Sequence, residues 1–596
     1  MKYSDLLGEW LVELGYTHCF FVAGGGIMHL LDGVRNRFDC VPVVHEVTAG
    51  VSAEHFNECA QNGQRAFALV TTGPGLTNIV SAVAGCYVEH RELLVIAGQV
   101  KSTDLLTFPE RQRGVQEVDG SAICASISIL TECLRRPISR SQFNSMVRQS
   151  QGPHPGPVVI EVCLDVQGVE VDKDKLCDDP GGDCVATIEP RQDDIERIRD
   201  ILNSSRRPIL LLGGLISRAA AWDAMPQLEN LGLPVATTTS AIDRVHTNSP
   251  IFAGRPGTWG GQRAANLLLA QADVILALGA QLDLQQTGFN YNAYSPNAKL
   301  IHVFPSQSEL DRIGPPAYMK LLASPDAVLS ALLPEIHWKD ILGWGSYVLE
   351  VRELLPSIEP ANVSRPGFIN SFNLLKNLSR ASQSSDVLAL CSSGGTFTAA
   401  LQTYEVAQNQ IATTSAAHAS MGYGLATAIG AAFSNRTHRV ILTEGEGGFS
   451  QNLQELAIIK RYSLPIKIFL FDNGGYASIR ATQKKFFNGA YLGCDHETGL
   501  GFPDWERLFG AYDIPCRYLS EELTNEDNLK ELLANCVGPE AWIVSVDPNQ
   551  PNWPAVASAF GPNGFLTSGP LYDMLPKLSE NILERVGRYL PIQVRN

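Results

Sequence analysis

Short unbroken runs of apolar, often β-branched residues alternate along most of the chain with segments of helical spacing. THCFFVAGGG (17–26), CVPVVHE (40–46), AFALVTT (66–72) and ELLVIAG (92–98) read as strands, and PGPVVIEVCLDV (155–166) closes this first series. IMHLLDGVRN, VTAGVSAEHFNECA and the stretch from the turn GPG (73–75) to about His90 read as the helices between them. Runs without polar alternation belong to strands buried on both faces, so a parallel sheet covered by helices is expected. A second series begins with RRPILLLGG (206–214) and continues through LPVATTTS, ADVILALGA and KLIHVFP to about Leu333. A third contains DVLALCSSGG (386–395), QIATTS (410–415), RVILTEGEGG (439–448), IKIFLFDNGG (466–475) and AWIVSVD (541–547). The first and third share a strand–helix rhythm without repeating letters. The expected fold class is therefore α/β, with three doubly wound parallel-sheet domains over 1–170, 190–340 and 365–550 and a tail over 551–596.

Acidic, glycine-containing VDKDKLCDDPGGDCVATIEP (171–190) reads as a linker, and a less polar connection covers roughly 334–365. The tail beyond Pro551 reads as irregular, with a short amphipathic helix near 574–589. The chain has 596 residues, 45% hydrophobic and 18% charged, which excludes a disordered or fibrous protein. Its net charge of −16 argues against a partner held by bulk charge, whether nucleic acid or anionic membrane. No apolar run approaches the ~20 residues needed to span a bilayer. MKYSDLLGEWLVELGY carries acids in its first turns, so no signal peptide is expected. Thirteen cysteines without a CxxC pair fit a reducing compartment, and a cytoplasmic location is expected. Cys177 and Cys184 can in principle pair, but two solvent-side linker thiols are the favoured reading.

Candidate chemistry sits at strand ends. RVILTEGEG delivers Glu446 and IKIFLFDN delivers Asn473, 27 residues later, the length of one βαβ crossover. If the strands are neighbours, their ends lie ~5 Å apart. A carboxylate, an amide oxygen and a carbonyl freed by Gly474–Gly475 then suit one hard cation such as Mg²⁺, with positions left for phosphate oxygens or water. The competing reading is a solvated turn acid and a strand cap. Glu46 ends the run CVPVVHE, where open α/β sheets bind ligands. Three readings stay open for it: the acid of a dinucleotide fold after Gly24–Gly25–Gly26, a partly buried proton-exchanging carboxyl, or a helix cap. The dinucleotide fingerprint lacks its third glycine, since His29 stands there. TTGPGLTN (71–78) alone is a tight strand-to-helix turn.

Taken together, these segments resemble the thiamine-diphosphate-dependent 2-oxo acid decarboxylase and carboligase superfamily, in particular its acetolactate-synthase-like branch. The resemblance runs from about 4 to 550 and implies pyrimidine-binding, central Rossmann-like and diphosphate-binding domains, in that order. GEGGFSQNLQEL followed by DN is similar to the family's diphosphate and metal signature, with Glu446 where an aspartate usually stands. VVHE and TTGPGLTN are similar to the segment of the activating glutamate and its neighbouring turn, and ASMGYGLATAIGAA (419–432) to the helix beneath the cofactor. The resemblance implies that Glu46 bonds a ring nitrogen of the cofactor and favours its imino tautomer, with Gln116 and His29 as further catalytic candidates. It implies cofactor contacts at Gly25, Gly26, Thr72, Gly73, Asn78, Ser420, Met421, Gly445, Glu446, Gly447, Gly448, Asn473, Gly475 and Tyr476. Met421 would wedge under the cofactor, and Glu446, Asn473 and the Gly475 carbonyl would hold Mg²⁺.

The central series departs from the family. GRPGTWGGQRAAN (254–266) and LGAQLDLQQTG (278–288) are similar to segments that line a flavin site, but Phe304 and Pro305 stand where ribose-binding acids are usual. FAD is therefore not expected. Thr482 replaces a selectivity-setting tryptophan, so an acceptor bulkier or more polar than a second pyruvate is expected, as in carboligases that modify keto-sugars. The resemblance implies a 2-oxo acid donor, a carbonyl acceptor, and a homodimer or homotetramer with sites between subunits. Acetolactate synthase proper, a simple decarboxylase, an acyl-CoA lyase, a non-catalytic relative and, in another class, an NAD-dependent Rossmann dehydrogenase are the competing readings.

Overall fold

Each apolar series folds into a six-stranded sheet in the computed structural model, which describes residues 1–106, 110–178, 186–534, 538–560 and 566–591. Every strand pairing within the three sheets is parallel. Leu93–Gln99, Pro157–Cys163 and Val274–Leu278 are buried at every position, which is why their sequences lack polar alternation.

Counted from its own first strand, the first sheet is ordered 2-1-3-4-6-5, and the third repeats that order. The central sheet runs 3-2-1-4-5-6, the order of dinucleotide-binding folds. The rhythm shared by the outer series is thus a shared topology. These two outer units also share one apolar core, in which helix Glu46–Cys59 crosses helix Tyr423–Ser434. Small residues allow the approach: a Cβ on Gly430 would stand 2.2 Å from the Ser52 carbonyl oxygen. Ser52 Oγ donates to the Ala426 carbonyl at 2.9 Å. The central core takes in Leu571, Val586 and Leu590 from the tail.

Several elements differ from expectation. The strand expected over 40–46 spans Asp39–Pro42, and Glu46 opens a helix instead of closing a strand. The chain leaves the sheet there because the N–H groups of Val44 and His45 bond a carboxylate, not a neighbouring strand. Leu130–Leu134, Met319–Leu322 and Cys516–Tyr518 are edge strands whose mixed burial weakened their pattern in the sequence. The connection expected over 334–365 contains helix Trp344–Leu354, whose Trp344, Tyr347 and Val351 pack into the central core. The tail adds an antiparallel pair, Ser558–Phe560 with Leu566–Ser568, and its helix is confined to Glu580–Val586. Cys177 is a free thiol, and Cys184 lies outside the described residues. No helix among the described residues is long and apolar enough to cross a membrane.

Candidate active site

In the third sheet, strand Val440–Gly445 lies beside Ile466–Asp472, so their carboxyl ends are adjacent. Glu446 opens the short helix Glu446–Phe449 and is 1% exposed. Its Oε1 accepts the N–H of Asn473 at 3.0 Å and of Gly475 at 2.8 Å. The Asn473 amide oxygen faces only acceptors, Glu446 Oε1 at 3.3 Å and the Gly475 carbonyl oxygen at 2.7 Å. Three oxygens at these separations repel unless a cation or a rotated amide lies among them. Neighbouring ligands of an octahedral Mg²⁺, each at ~2.1 Å, stand ~3 Å apart. Rotated, the Asn473 amide donates to both oxygens; unrotated, its oxygen joins the carboxylate and the carbonyl in a set of hard donors that suits such a cation. Burial, reinforced by the Asp472 carboxylate, pushes the Glu446 carboxyl up to about 8, so its charge in this dry position calls for a cation.

Glycines make this geometry possible. Gly475 has φ +151°, and a Cβ there would stand 2.0 Å from the Cys494 carbonyl oxygen. A Cβ on Gly447 would strike the Tyr476 ring at 2.4 Å, and one on Gly448 would meet Glu444 Oε1 at 2.4 Å. Glu444 is a buried acid that the sequence reading passed over. It is 2% exposed, and burial pushes its carboxyl up to about 8. Its position in an otherwise apolar strand run, two residues before Glu446, was the available signal. Across from it, Gly422 (φ +88°) precedes helix Tyr423–Ser434, and Asn452 Nδ2 donates to the Gly422 carbonyl at 2.6 Å. Met421 is 36% exposed, so it is not a filler of the core. Ser420 Oγ donates to the Met421 carbonyl at 3.1 Å.

In the first sheet, the loops after strands Tyr16–Phe21 and Arg65–Val70 meet at the point where strand order reverses. Gly26 N donates to Thr71 Oγ1 at 3.2 Å, and a Cβ on Gly26 would stand 2.3 Å from Thr72 Oγ1. Gly25 faces open space. Gly73, at φ +64°, lies under the Gln116 carbonyl, which a Cβ would meet at 1.8 Å. Gln116 has φ +59° and is exposed. Glu46, 7% exposed, accepts from Asn78 Nδ2 at 3.0 Å. His29 lies elsewhere: a Cβ on Gly168 would meet its Nε2 at 2.8 Å, beside a shallow cavity lined by Phe21, Met28 and Cys40. Within one chain, hydrogen bonds tie the turn before Glu46 to Glu455, and Glu446 Oε1 to the loop that follows strand Ile466–Asp472.

The carboxyl edge of the central sheet is built differently. At its switch point a Cβ on Gly213 would stand 2.1 Å from the Gly279 carbonyl oxygen, so the two loops close on each other. The adjoining cavity, lined by Thr238, Gly279 and Phe304, holds about 30 Å³, room for one or two waters. Phe304 packs against His90 and His154 at 5.5 and 6.0 Å between ring centres. That volume does not hold a flavin dinucleotide, and the larger cavity that shares Gly214, Leu215 and Ser240 with it carries no support for one. A cavity of about 1060 Å³ opens where the three domains meet. Its Arg91, Arg218 and Arg244 are paired with Glu54, Glu58 and Asp243, and it lies away from the Glu446 loop.

Family comparison agrees with this architecture. The N-terminal TPP binding domain of thiamine pyrophosphate enzymes matches residues 1–123, the central domain 195–332 and the C-terminal TPP binding domain 393–546. The chain belongs to the thiamine pyrophosphate-dependent enzymes. Within them it falls in the acetolactate synthase-like branch. It is 27% identical over 585 residues to the acetolactate synthase isozyme 2 large subunit of Escherichia coli (strain K12), covering 96% of this chain and 99% of that protein. It is also 27% identical to the acetolactate synthase large subunit of Lactococcus lactis subsp. lactis (strain IL1403), over 88% of this chain and 90% of the relative.

Proposed function

We propose that this carboligase decarboxylates a 2-oxo acid, pyruvate in the first instance, and joins the acyl unit to a carbonyl acceptor. Bound at the site, thiamine diphosphate supplies the carbon nucleophile and electron sink for that chemistry. The placement of Glu446, Asn473 and Gly475 at the adjacent carboxyl ends of neighbouring strands carries the reading, because these donors suit the cation that would anchor a diphosphate. Glu446, Asn473 and the Gly475 carbonyl would hold Mg²⁺. Glu46 would exchange a proton with a cofactor ring nitrogen, oriented by Asn78. Met421, standing out of the core, would support the cofactor from below.

The acceptor side favours a polar partner larger than pyruvate. Helix Ala477–Phe487 follows the cation loop and buries none of its side chains. Thr482 on it is exposed, its hydroxyl bonded only to the Ser478 carbonyl at 3.0 Å. A keto-sugar suits that opening, and pyruvate itself as acceptor, giving acetolactate, is the second reading. Incubation with pyruvate, Mg²⁺ and thiamine diphosphate, with and without keto-sugars, followed by mass spectrometry, decides between them. Acetolactate as the sole product in every mixture would defeat the polar-acceptor reading.

The site would be completed between two subunits, Glu46 of one facing the Glu446 loop of its partner, in a homodimer or dimer of dimers. The exposure of Met28, Val44 and Met421 supports this. Mixing Glu46→Gln and Glu446→Ala chains should restore turnover that neither has alone; failure to restore it would oppose a shared site. The eleven described cysteines are free thiols, which supports a cytoplasmic setting.

A further inference from the structure

Glu455 reads in the sequence as a polar position near the start of a helix, yet it is fully buried. It lies on the third domain, in the turn Leu453–Glu455 that follows the cation loop, but its bonds reach the first domain. Oε1 accepts the N–H of Val44 at 3.1 Å and of His45 at 2.9 Å, and Oε2 accepts Val44 N–H at 3.2 Å. These amides belong to the two residues immediately before Glu46. Val43, one residue earlier, still bonds the Phe21 carbonyl of the sheet at 2.9 Å, so the hand-over from sheet to Glu455 falls at Val44. Val44 is 51% exposed, His45 makes no side-chain cap to the helix, and His45 Nδ1 is buried without a partner. A carboxylate with paired N–H donors is among the stronger tethers available to a backbone.

We infer that Glu455 is the positioning residue for Glu46: by clamping the amides of Val44 and His45 it fixes where helix Glu46–Cys59 begins and which way its first side chain points. Glu455 acts on Glu46 chiefly through the main chain, with the Thr48 side chain on the first turn of the same helix as a further neighbour. The inference rests on Glu46 being the proton-exchanging carboxyl proposed above. An acid–base group displaced by a fraction of an ångström keeps its ligands but loses rate, so turnover is the quantity at stake.

Three variants test it. In Glu455→Ala, amide hydrogen exchange of the peptide spanning 43–48, read by mass spectrometry on the cofactor-free protein, should accelerate about tenfold or more. Its kcat should fall about 100-fold, while KM for pyruvate and thiamine diphosphate affinity stay within about threefold. Glu455→Gln keeps an oxygen at Oε1, the atom that takes both amides, and should recover most of kcat. Unchanged exchange over 43–48, or wild-type kcat, in Glu455→Ala overturns the inference. So does a parallel loss of kcat, cofactor affinity and melting temperature in both variants, which marks a merely structural residue. Glu46→Gln separates the two claims. Full turnover there defeats the reading of Glu46, whereas lost turnover there with none lost in Glu455→Ala defeats only the role of Glu455.

Discussion

The first and third sheets have the same strand order but place their acids at different edges. In the third, the loop after the third strand carries Glu446 into a buried set of oxygens. In the first, the equivalent loop is Thr71–Gly75, which offers hydroxyls and close backbone, and the acid Glu46 follows the second strand. The central sheet, of different order, closes its switch point with Gly213 against Gly279 and fills the edge with Phe304. One class of architecture thus supports a buried carboxylate among backbone amides, a half-open edge with an acid at a helix start, and an edge filled by an aromatic ring. Which one appears depends on a few loop residues, and the fold itself does not determine the chemistry.

The sharpest way to break this contrast is at Glu46. Glu46→Gln keeps the side chain's shape and removes its acid, so turnover with pyruvate should drop about 10²–10⁴-fold. Thiamine diphosphate affinity, measured by fluorescence quenching, should change little, because the proposed diphosphate anchor is on the other sheet. A variant that loses cofactor affinity and turnover together would place Glu46 in binding, not proton exchange.

Glu446→Ala attacks the opposite edge. Removing the carboxylate should weaken Mg²⁺-dependent cofactor binding by about 100-fold, read from cofactor titrations at several Mg²⁺ concentrations. An unchanged Mg²⁺ dependence would remove the cation from this loop.

The sealed edge makes a pH prediction. Burial pushes His302 down to about 4 and His90 to about 3, so both are neutral in the folded protein. Arg312 faces each of them, with Lys320 near His302 and His154 near His90. An unfolded histidine titrates near ~6.5. Their contribution to stability is therefore present above that pH and is lost as pH falls toward 4. At pH 5 each should cost about 2 kcal/mol, and His302→Gln should flatten the decline of melting temperature between pH 7 and 5. Equal slopes in variant and wild type would show that this edge is not closed by a neutral ring. The purified protein should also lack a flavin absorbance band.

Much of this was legible in the sequence because parallel strands buried on both faces print as apolar runs. Glu446 and Asn473 could be paired from the 27-residue crossover alone, since neighbouring strands bring such ends together. What escaped shares one cause: it depends on contacts between segments far apart in the chain. Cys516–Tyr518 is a strand only because Glu540–Ser545 pairs with it. Glu444 and Glu455 look like solvated acids until the fold buries them, and the strand stops before Glu46 where Glu455, more than 400 residues away, takes the amides of Val44 and His45. The central Rossmann-like topology came from the family resemblance, because strand order leaves no mark on local pattern.

The smallest effect tests how closely the first sheet's loops pack where the third sheet opens for a cation. Gly25 and Gly26 are adjacent, and neither has a positive φ, so backbone strain does not separate them. A Cβ on Gly26 would stand 2.3 Å from Thr72 Oγ1 and 3.0 Å from Thr71 Oγ1, whereas one on Gly25 meets nothing within 4 Å. Gly26→Ala must push two threonines aside and break the Gly26–Thr71 hydrogen bond, at a cost of about 1–3 kcal/mol. Gly25→Ala should cost less than about 0.5 kcal/mol. Paired melting curves of the cofactor-free variants measure the difference without involving the chemistry. Equal stabilities would mean that the two loops do not touch, and that the first sheet's switch point is as open as the cation loop of the third.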